Sequence, residues 1–182
     1  MREFIYSLRC TMKLFDKALF EEKLLDGDEG ERCFKHWANE TDEVLSVSKV
    51  PHQSYPYDFL VEFEKVGVCT FEIKTACPRY DGKPWEAFTA EVCSIYNGKE
   101  HIPEYRAFTD EVDYIVYYDK QASELYFYEA SEFASYVEKN VGKARMNQYG
   151  TARYIFVPKA SPAAGFRRCY KWDSVWSLKE YV

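Results

Sequence analysis

The chain has 182 residues, 47% hydrophobic and 30% charged, with 16 Tyr, 13 Phe and 4 Trp, which is enough apolar volume for one sizeable core. Its 8 Gly and 7 Pro are scattered and no run of about 18 apolar residues occurs, which excludes a disordered chain, collagen and a membrane-spanning helix. The net charge of -6 conceals a segregation: Asp16, Glu21, Glu22, Asp26, Asp28, Glu29 and Glu31 cluster early, whereas Lys143, Arg145, Arg153, Lys159, Arg167, Arg168 and Lys171 follow Val141 with no acid among them. A basic stretch in an acidic chain points to an anionic partner.

The N-terminal MREFIYSLRCTMKLFDK interrupts its apolar residues with charge and lacks a secretory h-region, so a reducing cytoplasm is expected. The six cysteines form no CxxC pair or spaced ligand quartet and read as buried thiols. Leu14 to Leu25 has helical spacing up to Gly27, and Asp28 is placed to cap a second helix through about Asn39, burying Cys33, Phe34 and Trp37. Glu43 to Val50 alternates as a strand.

Tyr57 to Glu64 sets Phe59, Val61 and Phe63 on one face, and Val68 to Thr75 does the same with Cys69, Phe71 and Ile73. Lys65, Val66 and Gly67 between them are a hairpin turn, with Gly67 free to take a positive φ. If the turn is centred on Lys65, Asp58 lies opposite Glu72, and Lys74 shares the face of Glu72 while Phe71 and Ile73 enter the core. Adjacent carboxylates repel and raise one another's pKa, so the pair suits a divalent cation, Mg²⁺ with Mn²⁺ as a substitute. Lys74 stands where it can position or help deprotonate an attacking water.

Farther on, Trp85 to Ile95, Val112 to Tyr118, Glu124 to Tyr128 and Arg153 to Val157 read as strands, with a helix from Ser131 to near Gly142. The reading is one α+β domain spanning 1–182, with N-terminal helices (14–40), a catalytic hairpin (57–75) and a basic C-terminal part (141–171), its helices flanking a mixed central sheet. Lys143, Arg145, Gln148 and Arg153, with Tyr149 among them, have the composition of a phosphate-tracking edge. No HExxH, GxSxG, GxxxxGK[ST] or GxGxxG is present, so zinc hydrolases, serine hydrolases and nucleotide-driven motors lose support.

The order Tyr55-Pro56-Tyr57-Asp58, a hairpin, then Glu72-Ile73-Lys74 resembles the PD-(D/E)XK nuclease superfamily, and the segments WEAFTAEV and FTDEVDYIVYY resemble its phage-encoded members. The resemblance, over roughly 28–140, implies a restriction-endonuclease-like core. It implies Asp58 and Glu72 as metal ligands, the Ile73 carbonyl as a third, Lys74 as the catalytic lysine and a helix glutamate, Glu31 ahead of Glu40, in support. Glu91, Asp113 and His52 lie within reach of the motif in sequence but outside it. Two departures stand: Pro56 is one residue farther from the Asp than the motif has it, and the Gln-x-x-x-Tyr box of the exonuclease branch is missing. The expectation is a Mg²⁺-dependent endonuclease acting on DNA, with RNA as an alternative substrate, as a homodimer if both strands are cut. The competing expectations are a non-catalytic module that binds nucleic acid or a host protein on the same fold, and a surface ion cluster worth about 0.2–1 kcal/mol.

Overall fold

The computed structural model describes residues 27–51, 55–79, 81–96, 99–101, 111–147, 150–172 and 178–181. The expected helix over Leu14 to Leu25, His52 and Gln148 lie outside the described residues. The first described helix, α1, covers 27–39 and buries Gly30, Phe34, Trp37 and Ala38, a helical stripe on a single face. Asp28 was expected to cap this helix, but Gly27 and Asp28 are already helical, because a buried stripe outweighs a local capping signal. At its far end the Thr41 hydroxyl donates to the Trp37 carbonyl at 2.8 Å.

Among the described residues eleven strands follow in chain order: β1 (Val44–Lys49), β2 (Phe59–Phe63), β3 (Gly67–Ala76), β4 (Ala87–Tyr96), β5 (Lys99–His101), β6 (Tyr114–Asp119), β7 (Glu124–Glu129), β8 (Arg145–Met146), β9 (Ala152–Pro158), β10 (Phe166–Trp172) and β11 (Leu178–Tyr181). A second helix, α2 (Ala130–Asn140), sits between β7 and β8. Seven strands build a central sheet in the order β1-β2-β3-β6-β7-β10-β11, and four build a smaller sheet, β5-β4-β9-β8. The central sheet is mixed, with β3 and β6 parallel and their neighbours antiparallel, as the sequence led us to expect. The small sheet and strands β10 and β11 were not anticipated. Among the described residues no helix is long and apolar enough to cross a membrane.

Period-two alternation divides the core between the two faces of the central sheet. Phe59, Val61, Phe71, Val116 and Phe127 meet α1, with Phe34 ring centroids 5.1 Å from Phe59 and 5.0 Å from Phe71. Ile115, Tyr117, Tyr126 and Tyr128 face the other way, toward Phe133 and Val137 of α2 and Phe88, Ile155 and Val157 of the small sheet. Helix α2 begins at Ala130, one residue before the expected Ser131: the buried Ala130 donates its N–H to the Asp113 carbonyl at 2.9 Å, so the strand end sets the start.

Gly30 fixes how closely α1 approaches β3. A Cβ there would stand 2.2 Å from Thr75 Oγ1 and 3.5 Å from Tyr118 Cβ. Gly30→Ala is therefore expected to lower stability by about 1–3 kcal/mol through overpacking, against the gain in helix propensity. A urea midpoint equal to or above that of the wild type would contradict this packing.

Candidate active site

The β2–β3 register is the one that a turn centred on Lys65 demands: Phe59 pairs with Phe71, Val61 with Cys69 and Phe63 with Gly67. Gly67 takes φ 86°, the left-handed conformation that glycine adopts without strain. Strand β2 begins only at Phe59, whereas β3 runs on to Ala76 beside β6, so Glu72 to Ala76 form an open step at the sheet edge. Asp58 closes the near side of that step. Its N–H donates to the Phe71 carbonyl at 2.9 Å, and its Oδ2 accepts the Ile73 N–H at 2.8 Å. Strand alternation turns the Ile73 carbonyl toward the same edge.

Asp58 and Glu72 are 4% and 7% exposed and hydrogen-bonded to each other through their side chains. Lys74, on the same face of β3, places its Nζ 2.7 Å from Glu72 Oε1. Burial pushes Glu72 up to about 8; Lys74 opposes the rise and the Asp58 carboxylate adds to it. The pair is thus short of positive charge, and its donors are hard oxygens. That fits a small divalent cation held by two carboxylates, a backbone carbonyl and solvent. Among the described residues no three His, Cys, Asp or Glu side chains converge on one point, so the protein's side-chain share of such a site is the acid pair.

Because the folded chain binds the Glu72 proton more tightly than the unfolded one, stability in EDTA is expected to fall as pH rises from 4.5 through about 8 and to level off above it. Glu72→Gln, which carries no ionisable group, should flatten that slope. Urea titrations at pH 5, 7 and 9 measure it, and parallel pH profiles for the two proteins would contradict the assignment.

The fold is similar to that of a bacterial homing endonuclease. That solved structure, I-Ssp6803I, matches with a TM-score of 0.54 over 79% of this chain and 86% of its own length, at 13% sequence identity. No protein-family model matches the sequence, and a search of curated proteins gives no match.

The other expected site residues are placed as follows. Glu31 of α1 is turned toward the sheet and pairs with Lys49 at the end of β1, on the side of Asp58 away from Glu72. Glu40 is exposed at the end of α1. Glu91, on β4 of the small sheet, accepts the Ser94 hydroxyl at 2.6 Å. Asp113 binds the Thr70 N–H at 2.8 Å and fastens the start of β6 to β3. Lys49 is the residue that the sequence reading missed; the alternation of β1, which puts it on the face of Val47 toward α1, is the signal that could have found it.

Arg145 and Arg153 are exposed on the adjacent strands β8 and β9, with Met146 paired to Arg153, and Lys143 lies just before them. Much of the basic stretch is met by acids from elsewhere in the chain. Arg153 lies 3.3 Å from Glu100, Arg167 binds Glu129 and Glu132, Lys171 is 3.6 Å from Glu124, and the half-buried Lys159 pairs with the buried Asp119. The stretch holds no acid of its own, yet four of its seven cations are paired in space with acids remote in sequence.

Proposed function

We propose that this protein is a Mg²⁺-dependent DNA endonuclease of the PD-(D/E)XK type, working in the cytoplasm. The observation that carries the reading is the convergence of Asp58, Glu72 and Lys74 on the open step of β3, two buried carboxylates with an ammonium 2.7 Å from one of them. The similarity of the fold to that of a bacterial homing endonuclease supports a nuclease reaction, the hydrolysis of a phosphodiester.

Asp58, Glu72 and the Ile73 carbonyl would hold the ion, which when bound supplies Lewis-acid stabilisation of charge developing on the phosphate. The protein's own part is positioning. The Ile73 N–H fixes the Asp58 carboxylate against β3, and burial keeps Glu72 from turning away. Lys74 stands 2.7 Å from Glu72 Oε1, and its ammonium is the nearest group to orient an attacking water or to move a proton at the phosphate. Glu72 must shed its proton for the ion to bind, so affinity for Mg²⁺ should rise with pH up to about 8. Lys143, Arg145 and Arg153 are the cations assigned to the DNA backbone, with Gln148 from the same stretch, and a homodimer would bring two sites to a duplex.

The test is cleavage of labelled single-stranded, duplex and branched DNA in Mg²⁺, Mn²⁺ or EDTA, with an RNA of the same sequence alongside and Glu72→Ala from the same preparation. Metal-dependent cleavage lost in the variant is expected; equal products from both proteins would overturn the proposal. One observation favours a second reading, a non-catalytic binding module: the pairing of basic side chains with acids leaves a chain of net charge -6 less free cation to grip DNA unaided. A folded protein that binds DNA or a protein partner while taking up no Mg²⁺ or Mn²⁺ would establish it.

A further inference from the structure

The two faces of the small sheet differ in what they meet. Strand β9 sends Ile155 and Val157 inward, together with Phe88 and Ala90 of β4, to pack on the central sheet. Tyr154 and Phe156 point the other way. Cross-strand partners share a face, so Phe156 stands beside Thr89, and Tyr154 stands between Glu91 of β4 and Arg145 of β8. The solvent face of an antiparallel sheet is ordinarily polar, as Thr89 and Glu91 are here, yet Phe156 is 48% exposed and Tyr154 is half-buried beside it. Arg145 completes the surface. Among the described residues no acid pairs with it, and its guanidinium lies 5.9 Å from the centre of the Phe156 ring, over an aromatic face.

Exposed rings on an open sheet face, with a guanidinium among them, supply what an unpaired base and its phosphate need: a flat surface for the π face and a cation for the charge. A duplex keeps its bases stacked inside and presents no π face to such rings. We propose that the outer face of the small sheet binds a single-stranded segment of DNA, with Phe156 and Tyr154 stacking on its bases and Arg145 on its phosphates. The same face is joined to the candidate active site. Strand β5 pairs only with Ser94 to Tyr96 of β4, and the edge of β4 ahead of them meets β6, where the Tyr117 hydroxyl donates to the Thr89 carbonyl at 3.0 Å. Tyr117 is in register with Lys74 on the next strand of the central sheet, and Thr89 is the cross-strand partner of Phe156. The substrate class that follows is DNA with an unpaired strand near the point of cleavage, an inference that rests on the nuclease reading for its choice of DNA.

The probe is a fluorescein-labelled oligothymidylate of about 15 nucleotides, a length within the range of one single-strand site, with its duplex alongside. Both are titrated by anisotropy in EDTA, so that binding is read without cleavage. The wild type should hold the single strand more tightly than the duplex. Phe156→Leu, which stays apolar but removes the ring, should weaken single-strand binding by about 5- to 100-fold and leave duplex binding unchanged. Phe156→Trp should retain affinity, and the indole fluorescence it adds should be quenched on binding, a signal that a purely structural role would not give. Arg145→Met should weaken binding and lower the salt dependence by about one phosphate contact. Equal single-strand affinity for wild type and Phe156→Leu, or a preference for the duplex, would overturn the inference. So would self-association of the wild type that is lost in Phe156→Leu with no DNA bound, which would make the face a contact between copies of the chain. The nuclease reading fails separately: metal-dependent cleavage together with ring-independent binding removes only the stacking face, and ring-dependent binding with no cleavage in Mg²⁺ or Mn²⁺ removes only the catalysis.

Discussion

Lys74→Met is expected to reduce metal-dependent DNA cleavage by about 10²–10⁴-fold, the range for removing a group that moves or positions a proton. The fold should survive, since Lys74 is partly exposed on a strand whose core contacts come from Phe71 and Ile73 on the opposite face. The variant also discriminates between two causes of lost activity. Without the Lys74 ammonium, which lowers the Glu72 pKa, the carboxyl holds its proton more tightly, so metal binding itself should weaken near neutral pH. Assays at pH 7 and pH 9 with saturating Mg²⁺ separate these effects: a defect of ion binding shrinks as pH rises, and a defect of water or phosphate positioning does not. Lys74→Arg keeps the charge but cannot give up its proton, so rescue by arginine would assign an electrostatic role and failure of rescue a proton-transfer role. Wild-type rates for Lys74→Met at both pH values would remove Lys74 from the mechanism.

The hairpin that carries this site was legible because its alternation is strict. With Phe59, Val61, Phe71 and Ile73 buried on one side, a slip by one residue would send all of them to the wrong face, so the pattern admits a single register. Asp58, Glu72 and Lys74 follow from that register without any knowledge of the rest of the fold. Helix starts were less legible. Side chains such as Asp28 and Ser131 offer local caps, and the backbone instead follows contacts made far away in sequence, such as the Asp113 carbonyl that receives the Ala130 N–H. Strand β10 was hidden by its own charge. Arg167, Arg168 and Lys171 read as a basic patch, and the alternation becomes sensible only once Glu129, Glu132 and Glu124 are opposite, with Lys171 directly across from Glu124. Lys49 was missed for a related reason. Its partner lies on α1, and the packing of a helix across a strand cannot be read from either segment alone.

The same limit applies to Lys159, and here it yields the largest expected effect on stability. The sequence counts Lys159 among the cations available to an anionic partner, yet it is 13% exposed and bound to Asp119, which is 0% exposed. Asp119 Oδ1 also accepts the N–H groups of Gln121 and Ala122 at 3.1 and 3.2 Å, and the ammonium lies 5.2 and 4.9 Å from the ring centres of Phe88 and Tyr126. The pair joins the two sheets: Asp119 ends β6 beside Ala76 of β3, while Lys159 follows β9 and donates its N–H to the Glu86 carbonyl just before β4. Removing one partner strands a charge in the interior, so Lys159→Met should cost about 3–5 kcal/mol, much more than the loss of a surface lysine. Lys159→Met combined with Asp119→Asn removes both charges and should recover part of that loss, since the neutral amide can still accept the two backbone N–H groups. Chemical denaturation of the four proteins in the cycle measures the coupling. A Lys159→Met cost below about 1 kcal/mol, as for an exposed pair, would return Lys159 to the surface charge available for DNA. A large coupling would mean instead that two residues beyond Lys74 the candidate site rests on a salt bridge between sheets, and that part of the basic stretch holds the fold together rather than its substrate.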